Sequence, residues 1–91
     1  MVSESSKFEV IHNAEKNRVE ASINGQLGLL EYTLRGNKIY FTHTEVPVSM
    51  QRQGLGSALA RAALEYARGA ELEVVAVCPF VQHYLEKHPG A

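Results

Sequence analysis

The chain has 91 residues, 45% of them hydrophobic and 21% charged, which fits one small soluble globular domain spanning 1–91 and leaves no room for a second. A formal net charge of −1 gives no global pull toward nucleic acid or an acidic membrane, so any anion site must be local. The single Cys78 excludes an internal disulfide framework and fits a reducing cytoplasm, Met1–Ser6 is too polar for a secretory signal, and no apolar stretch approaches the length of a membrane span.

Met1–Ser6 is rich in Ser and Glu and is expected to be disordered. Phe8, Val10 and His12 alternate with Lys7, Glu9 and Ile11, which predicts a first strand. Asn13–Asn17 has the composition of a turn. Val19, Ala21 and Ile23 alternate with Arg18, Glu20 and Ser22, giving a second strand with one wet face. Asn24-Gly25 is a hairpin signal. It leads into a third strand, Gln26–Leu34, in which Leu27, Leu29, Glu31 and Thr33 oppose Gly28, Leu30, Tyr32 and Leu34. Gly28 inside that strand marks a bulge or a close approach. Arg35-Gly36-Asn37 turns the chain into a fourth strand, Lys38–Thr44, rich in aromatic and β-branched residues. Tyr32, Tyr40 and Phe41 read as core or sheet-face residues.

Pro47 and the loop to Gln53 break the sheet. Gly54-Leu55-Gly56-Ser57 then opens a helix that continues through Ala58–Arg68 and stops at Gly69, built of good helix formers. Leu55, Ala58, Leu59, Ala62 and Tyr66 make its expected apolar face, and Ser57, Arg61, Glu65 and Arg68 its solvated one. Leu72–Val77 is a short apolar run, expected as a buried strand parallel to the fourth, because a helix supplies the crossover. Cys78-Pro79 ends it, since proline cannot continue a ladder. Pro79–Lys87 reads as a second, short helix with proline at its first turn, Phe80 and Tyr84 facing inward, and Val81 and Leu85 as further inward candidates. The expected fold class is a mixed α/β sheet: a four-stranded antiparallel meander, a helix, a parallel fifth strand and a short C-terminal helix.

The two glycines at the mouth of the first helix carry the functional argument. The first turn of a helix has N–H groups without intrahelical partners, and glycine lets a ligand approach them. The helix N-terminus also favours negative charge, so the stretch is built like a cradle for phosphate. The plainer reading is a turn that only starts a helix. Nucleotide-binding alternatives fit badly. A phosphate loop of the nucleoside-triphosphatase kind needs Lys then Ser/Thr after the second glycine, where Ser57 and Ala58 stand. A dinucleotide fingerprint needs a third glycine where Leu59 stands. In an open sheet with a parallel unit, ligands bind beyond the carboxyl ends of the strands. His43-Thr44-Glu45-Val46, the glycine loop and Val77-Cys78 should converge there.

The order of elements and the segment Gln51-x-x-Gly54-x-Gly56 resemble the Gcn5-related N-acetyltransferase superfamily. His43-Thr44-x-Val46-Pro47, Gly54-Leu55-Gly56, Cys78-Pro79-Phe80-Val81 and His88-Pro89, in that order, resemble its minimal single-domain members, over roughly Ala21 to Pro89. The resemblance implies acetyl-CoA as cofactor and a primary amine as acceptor, with amide groups of the glycine loop holding the coenzyme A pyrophosphate. Gln51, Arg52, Gln53, Gly54, Leu55, Gly56 and Ser57 would form that cradle, with Arg52 adding charge. Thr44, Glu45 and Val46 would border the pantetheine arm, slipped between diverging fourth and fifth strands like an added strand. Pro79 and Tyr84 complete the implied cofactor-binding set.

The side chains leave alternatives open. His43 stands beside the implied thioester and is a candidate base, since an imidazole can take a proton at neutral pH; a histidine bonded in the sheet edge is the other reading. Cys78 is an acyl acceptor if a neighbour lowers its pKa, or otherwise a small apolar wall. The two would form a Cys–His pair if they lie within hydrogen-bond reach. Tyr84 is either the acid for the leaving thiolate or core packing. His12, His83 and His88 have no metal-like spacing with Cys78, so no metal is expected. The small size implies an open acceptor site, suited to an amine on a protein or peptide or to one completed by a partner chain. A module that binds coenzyme A without turnover, or a plain interaction domain, are the competing classes.

Overall fold

The computed structural model describes residues 9–23, 25–48, 51 and 54–89. The expected loose tail, the start of the first strand, Asn24, Arg52 and Gln53 lie outside these residues. The elements follow the expected order: β1 (Ile11–Asn13), a 3-10 turn (Ala14–Lys16), β2 (Arg18–Ile23), β3 (Gln26–Arg35), β4 (Lys38–Glu45), α1 (Leu55–Gly69), β5 (Glu73–Ala76) and α2 (Pro79–Lys87). They form one five-stranded sheet in the order β1-β2-β3-β4-β5. The first four strands are antiparallel, and β5 runs parallel to β4.

Short turns set the registers. Ile23 pairs with Gln26 across the first hairpin, where Gly25 takes a φ of +79°. Arg35 pairs with Lys38 across the second, where Gly36 takes +60°. Both angles lie in the left-handed region that glycine reaches at little cost. One irregularity interrupts the β3–β4 ladder: Glu31 pairs with His43 but Tyr32 pairs with Phe41, so Thr42 is an extra residue and β4 bulges there.

One sheet face carries the core. Val19, Ala21, Leu30, Tyr32, Ile39 and Phe41 pack against α1, and Val81 of α2 joins the same cluster. Leu30, Ile39, Phe41, Leu55 and Leu59 are completely buried, each worth about 1.5–3 kcal/mol relative to exposure. Gly28 belongs to a close approach: a Cβ there would stand 2.6 Å from Cδ2 of Leu55. The edge strand is tied in by His12, whose ring nitrogen bonds the Tyr32 hydroxyl and whose ring meets Tyr66 of α1 edge-on at 4.1 Å. Burial first, then the nearby Tyr66, pushes the Tyr32 pKa up and keeps its hydroxyl a donor.

Two expectations about α1 need correction. Its buried face keeps the expected Leu55 and Leu59 but is completed by Gly56, Ala60, Ala63, Leu64 and Ala67, not by Ala58, Ala62 and Tyr66. Ala58 and Tyr66 only flank it. An alanine carries little hydrophobic signal, so periodicity could not say which alanines turn inward. The sheet selects the side on which small residues allow close approach. At its expected end, Gly69, the helix does not use the glycine as its left-handed stop. It closes with Leu72 N–H donating to Ala67 C=O at 2.9 Å and Glu71 N–H to Arg68 C=O at 3.1 Å, a Schellman closure. The left-handed residue it requires is Glu71, with φ of +58°. A side chain there costs about 1–2 kcal/mol, so Glu71→Gly should raise unfolding stability by about 1 kcal/mol, read by urea titration. A lower midpoint would show that the glutamate side chain contributes more than its backbone strain costs.

Candidate active site

The site begins where a ladder ends. β4 and β5 pair from Lys38↔Glu73 to Phe41↔Ala76. There the Phe41 carbonyl accepts from both Val77 N–H (3.1 Å) and Cys78 N–H (2.9 Å), and Pro79 turns the chain into α2. β4 continues to Glu45 with no strand beside it on that edge. The two strands therefore diverge, and a slot opens between the end of β4 and the β5–α2 corner. Gln82 of α2 holds that corner, its side-chain amide donating to the Ala76 carbonyl at 2.9 Å.

The bulge decides what faces the slot. Ile39 and Phe41 point into the core, so plain alternation would send His43 the same way. The extra residue Thr42 reverses the order: Thr42 and His43 are both exposed, and Thr44 is half-buried on the core side. Backbone direction follows the same logic. Tyr32 N–H bonds Asn17 C=O toward β2, so Glu31 directs its groups toward β4 and pairs with His43. Thr44 then directs its N–H and C=O into the slot.

Cys78 is the N-cap of α2 and 7% exposed, at the β5–α2 corner. Its Sγ lies 3.3 Å from Thr44 Oγ1. Burial alone would push the thiol pKa up. The Thr44 hydroxyl, together with the N–H groups of Val81, Phe80 and Thr44, outweighs it and brings the thiol below its ordinary value. Among the described residues no hydrogen bond joins Cys78 to His43, so the Cys–His pair considered from sequence is not formed. The partner of Cys78 is Thr44.

Above the cysteine lies the mouth of α1. Gly54, at φ of +86°, leads into the helix, and its carbonyl accepts the first helical bond from Ala58 N–H at 3.0 Å. The N–H groups of Leu55, Gly56 and Ser57 have no hydrogen-bond partner among the described residues. No acidic side chain occupies that first turn, so its positive end is uncompensated. In front of it is a cleft of about 340 Å³ lined by Thr44, Val46, Gln51, Gly56 and Phe80. Gln51 Nε2 donates to the Val46 carbonyl at 3.2 Å, tying the loop across the end of β4.

The candidate residues are thus partly gathered and partly spread. Thr44, Val46, Gln51 and Gly56 share the cleft, and Cys78 does not line it but bonds Thr44. Gly54 and Ser57 flank the helix mouth; Leu55 offers only its backbone, its side chain being core. Glu45 and His43 are exposed, His43 on the opposite sheet face. Pro79 is exposed at the start of α2. Tyr84 is half-buried, stacks on His88 at 4.3 Å and is not among the cleft-lining residues. Phe80 corrects an expectation: it does not enter the core but lies 37% exposed over Gly56, and Val81 is the buried residue instead. Its position directly after Pro79, at a helix start beside a strand end, was the available signal. Among the described residues no three His, Cys, Asp or Glu side chains gather as metal ligands, and no helix is long and apolar enough to cross a membrane.

A family model described as GCN5-related N-acetyl-transferase matches residues 18–91. Protein NATD1 of Xenopus tropicalis is 28% identical over 88 residues, which span 93% of this chain and 81% of that protein. Protein NATD1 of Mus musculus is 28% identical over 85 residues, 90% of this chain and 77% of that one. The solution structure of a GCN5-like protein from Staphylococcus aureus superposes with a TM-score of 0.70 at 31% identity, covering 91% of this chain and 82% of that one.

The contact between Gly56 and Phe80 can be measured. A Cβ on Gly56 would stand 2.7 Å from Phe80 Cζ, so Gly56→Ala must swing the ring out of the cleft. In the Phe80→Ala background that conflict is gone, and the alanine should even gain helix propensity. A double-mutant cycle should therefore give a coupling of about 1–2 kcal/mol, and equal effects in both backgrounds would refute the contact.

Proposed function

The chain belongs to the GCN5-related N-acetyltransferase family, and from that premise we propose that it transfers acetyl from acetyl-CoA to a primary amine. The observation that carries the reading is the open edge of β4 beyond its last pair with β5, where Thr44 both lines the cleft in front of the bare amide groups of α1 and bonds Cys78. The residues present fit the coenzyme. Unpartnered N–H groups of Leu55, Gly56 and Ser57, with no Cβ on Gly56, suit a diphosphate at the positive end of a helix. Arg52 adds a positive charge to the same loop in sequence. The Thr44 carbonyl is directed toward the slot, where an amide of a pantetheine arm can pair with it as a neighbouring strand would.

When bound, acetyl-CoA supplies an acetyl group activated as a thioester. The chain provides the groups around it. Cys78 offers a sulfur nucleophile at the β5–α2 corner, below its ordinary pKa. His43 stands on the outer sheet face, opposite Glu31, where an acceptor amine can approach without crossing the coenzyme site. There it takes the amine proton. The outer face around His43 is open, which fits an amine carried on a protein or peptide better than a small molecule enclosed in a pocket.

Calorimetry with coenzyme A, followed by intact mass after incubation with acetyl-CoA, tests this reading. Binding is expected, with one acetyl group gained by the natural chain and none by Cys78→Ala. No heat of binding would overturn the proposal, and binding without transfer to any amine in a panel would mark a sensor. His43→Ala should lower turnover by roughly a hundredfold while changing coenzyme affinity little, as for a general base. Equal losses in both would make the histidine structural.

A further inference from the structure

We propose that Thr44 is a positioning residue for Cys78, its hydroxyl holding Sγ beside the end of β4 and donating to the sulfur when it is deprotonated. The proposal rests on the acetyltransferase reading for its purpose, but its observations are independent of any coenzyme. Oγ1 and Sγ are 3.3 Å apart and come from different elements, the end of β4 and the start of α2. Only the bulge at Thr42 brings them together, because without it His43 would occupy the core side of the strand. A hydroxyl can donate to a thiolate, whereas a protonated thiol is itself a weak donor and acceptor, so the contact favours the charged form.

Further donors converge on the same sulfur. The N–H groups of Val81, Phe80 and Thr44 also lower the thiol pKa, although the sulfur closes no side-chain capping bond on α2. Charged groups do not account for the effect. On β4, His43 and Glu45 are exposed, with His43 on the other face. On α2, His83 pairs with Glu86 and Tyr84 stacks on His88. On β5, Glu73 pairs with Lys38 at the far end of the strand. The first turn of α1 carries no acidic side chain. The Thr44 hydroxyl is therefore the one side-chain group bonded to Sγ among the described residues.

Cys78 is the only cysteine in the chain, so its titration can be read without background. The test is the pH dependence of iodoacetamide alkylation in the natural chain, Thr44→Val and Thr44→Ser, with no coenzyme present. Valine keeps the branched shape and volume but removes the hydroxyl; serine keeps the hydroxyl. Thr44→Val should move the alkylation midpoint upward and slow the reaction near pH 7 by about tenfold, the worth of one hydrogen bond to a charged group. Thr44→Ser should retain the midpoint of the natural chain. Should valine destabilise the fold, Thr44→Ala read against Thr44→Ser gives the same comparison. An unchanged midpoint on removal of the hydroxyl, or a serine variant that behaves like valine, would overturn the proposal. Absence of acetyl transfer would overturn the functional reading alone, leaving the thiol titration as it stands.

Discussion

The fold turns on the point where one parallel ladder is forced to end. Proline has no N–H and cannot extend a strand pair, so Pro79 closes β5 and carries the chain into α2. β4 has no such barrier and runs on to Glu45. A double acceptance by the Phe41 carbonyl seals the last shared position. Beyond it, an exposed backbone edge faces a helix start, and that mismatch in strand length creates the slot. The mouth of α1, the cleft and Cys78 take their meaning from their places around it.

A second constraint sets which chemistry faces which side. An extra residue in a strand reverses the side-chain order beyond it, and here it sits just before the residues of interest. Thr44 turns toward Cys78 and the core, and His43 turns to the outer face. Sγ of Cys78 and the His43 imidazole thereby lie on different sides of β4.

The helix mouth combines two close approaches with one open direction. Gly28 lets Leu55 sit hard against β3, anchoring the first residue of α1 in the core. Gly56 lets the Phe80 ring lie over the same turn, joining the helices. The remaining direction, toward the cleft, is left to unpartnered amide groups. Fixing that turn from below and beside lowers the entropy that ligand binding would otherwise have to offset. Gly28 and Gly56 therefore each have a packing reason, set by Leu55 and Phe80.

The sequence by itself determined the element order, the meander, the parallel fifth strand and the family. These follow from local alternation, turn residues and a helix placed between strands, all of which act over a few neighbouring positions. It also singled out Gln51, Gly54, Gly56, Thr44, Val46 and Cys78 as residues to watch. It did not show that Thr44 rather than His43 would meet Cys78, because the bulge at Thr42 is a property of paired strands and leaves no mark in one strand's composition. Nor did it show that Phe80 would lie over Gly56 while Val81 filled the core, or which alanines of α1 would turn inward. Those choices depend on the volume available between two elements distant in sequence, and only packing them together decides it.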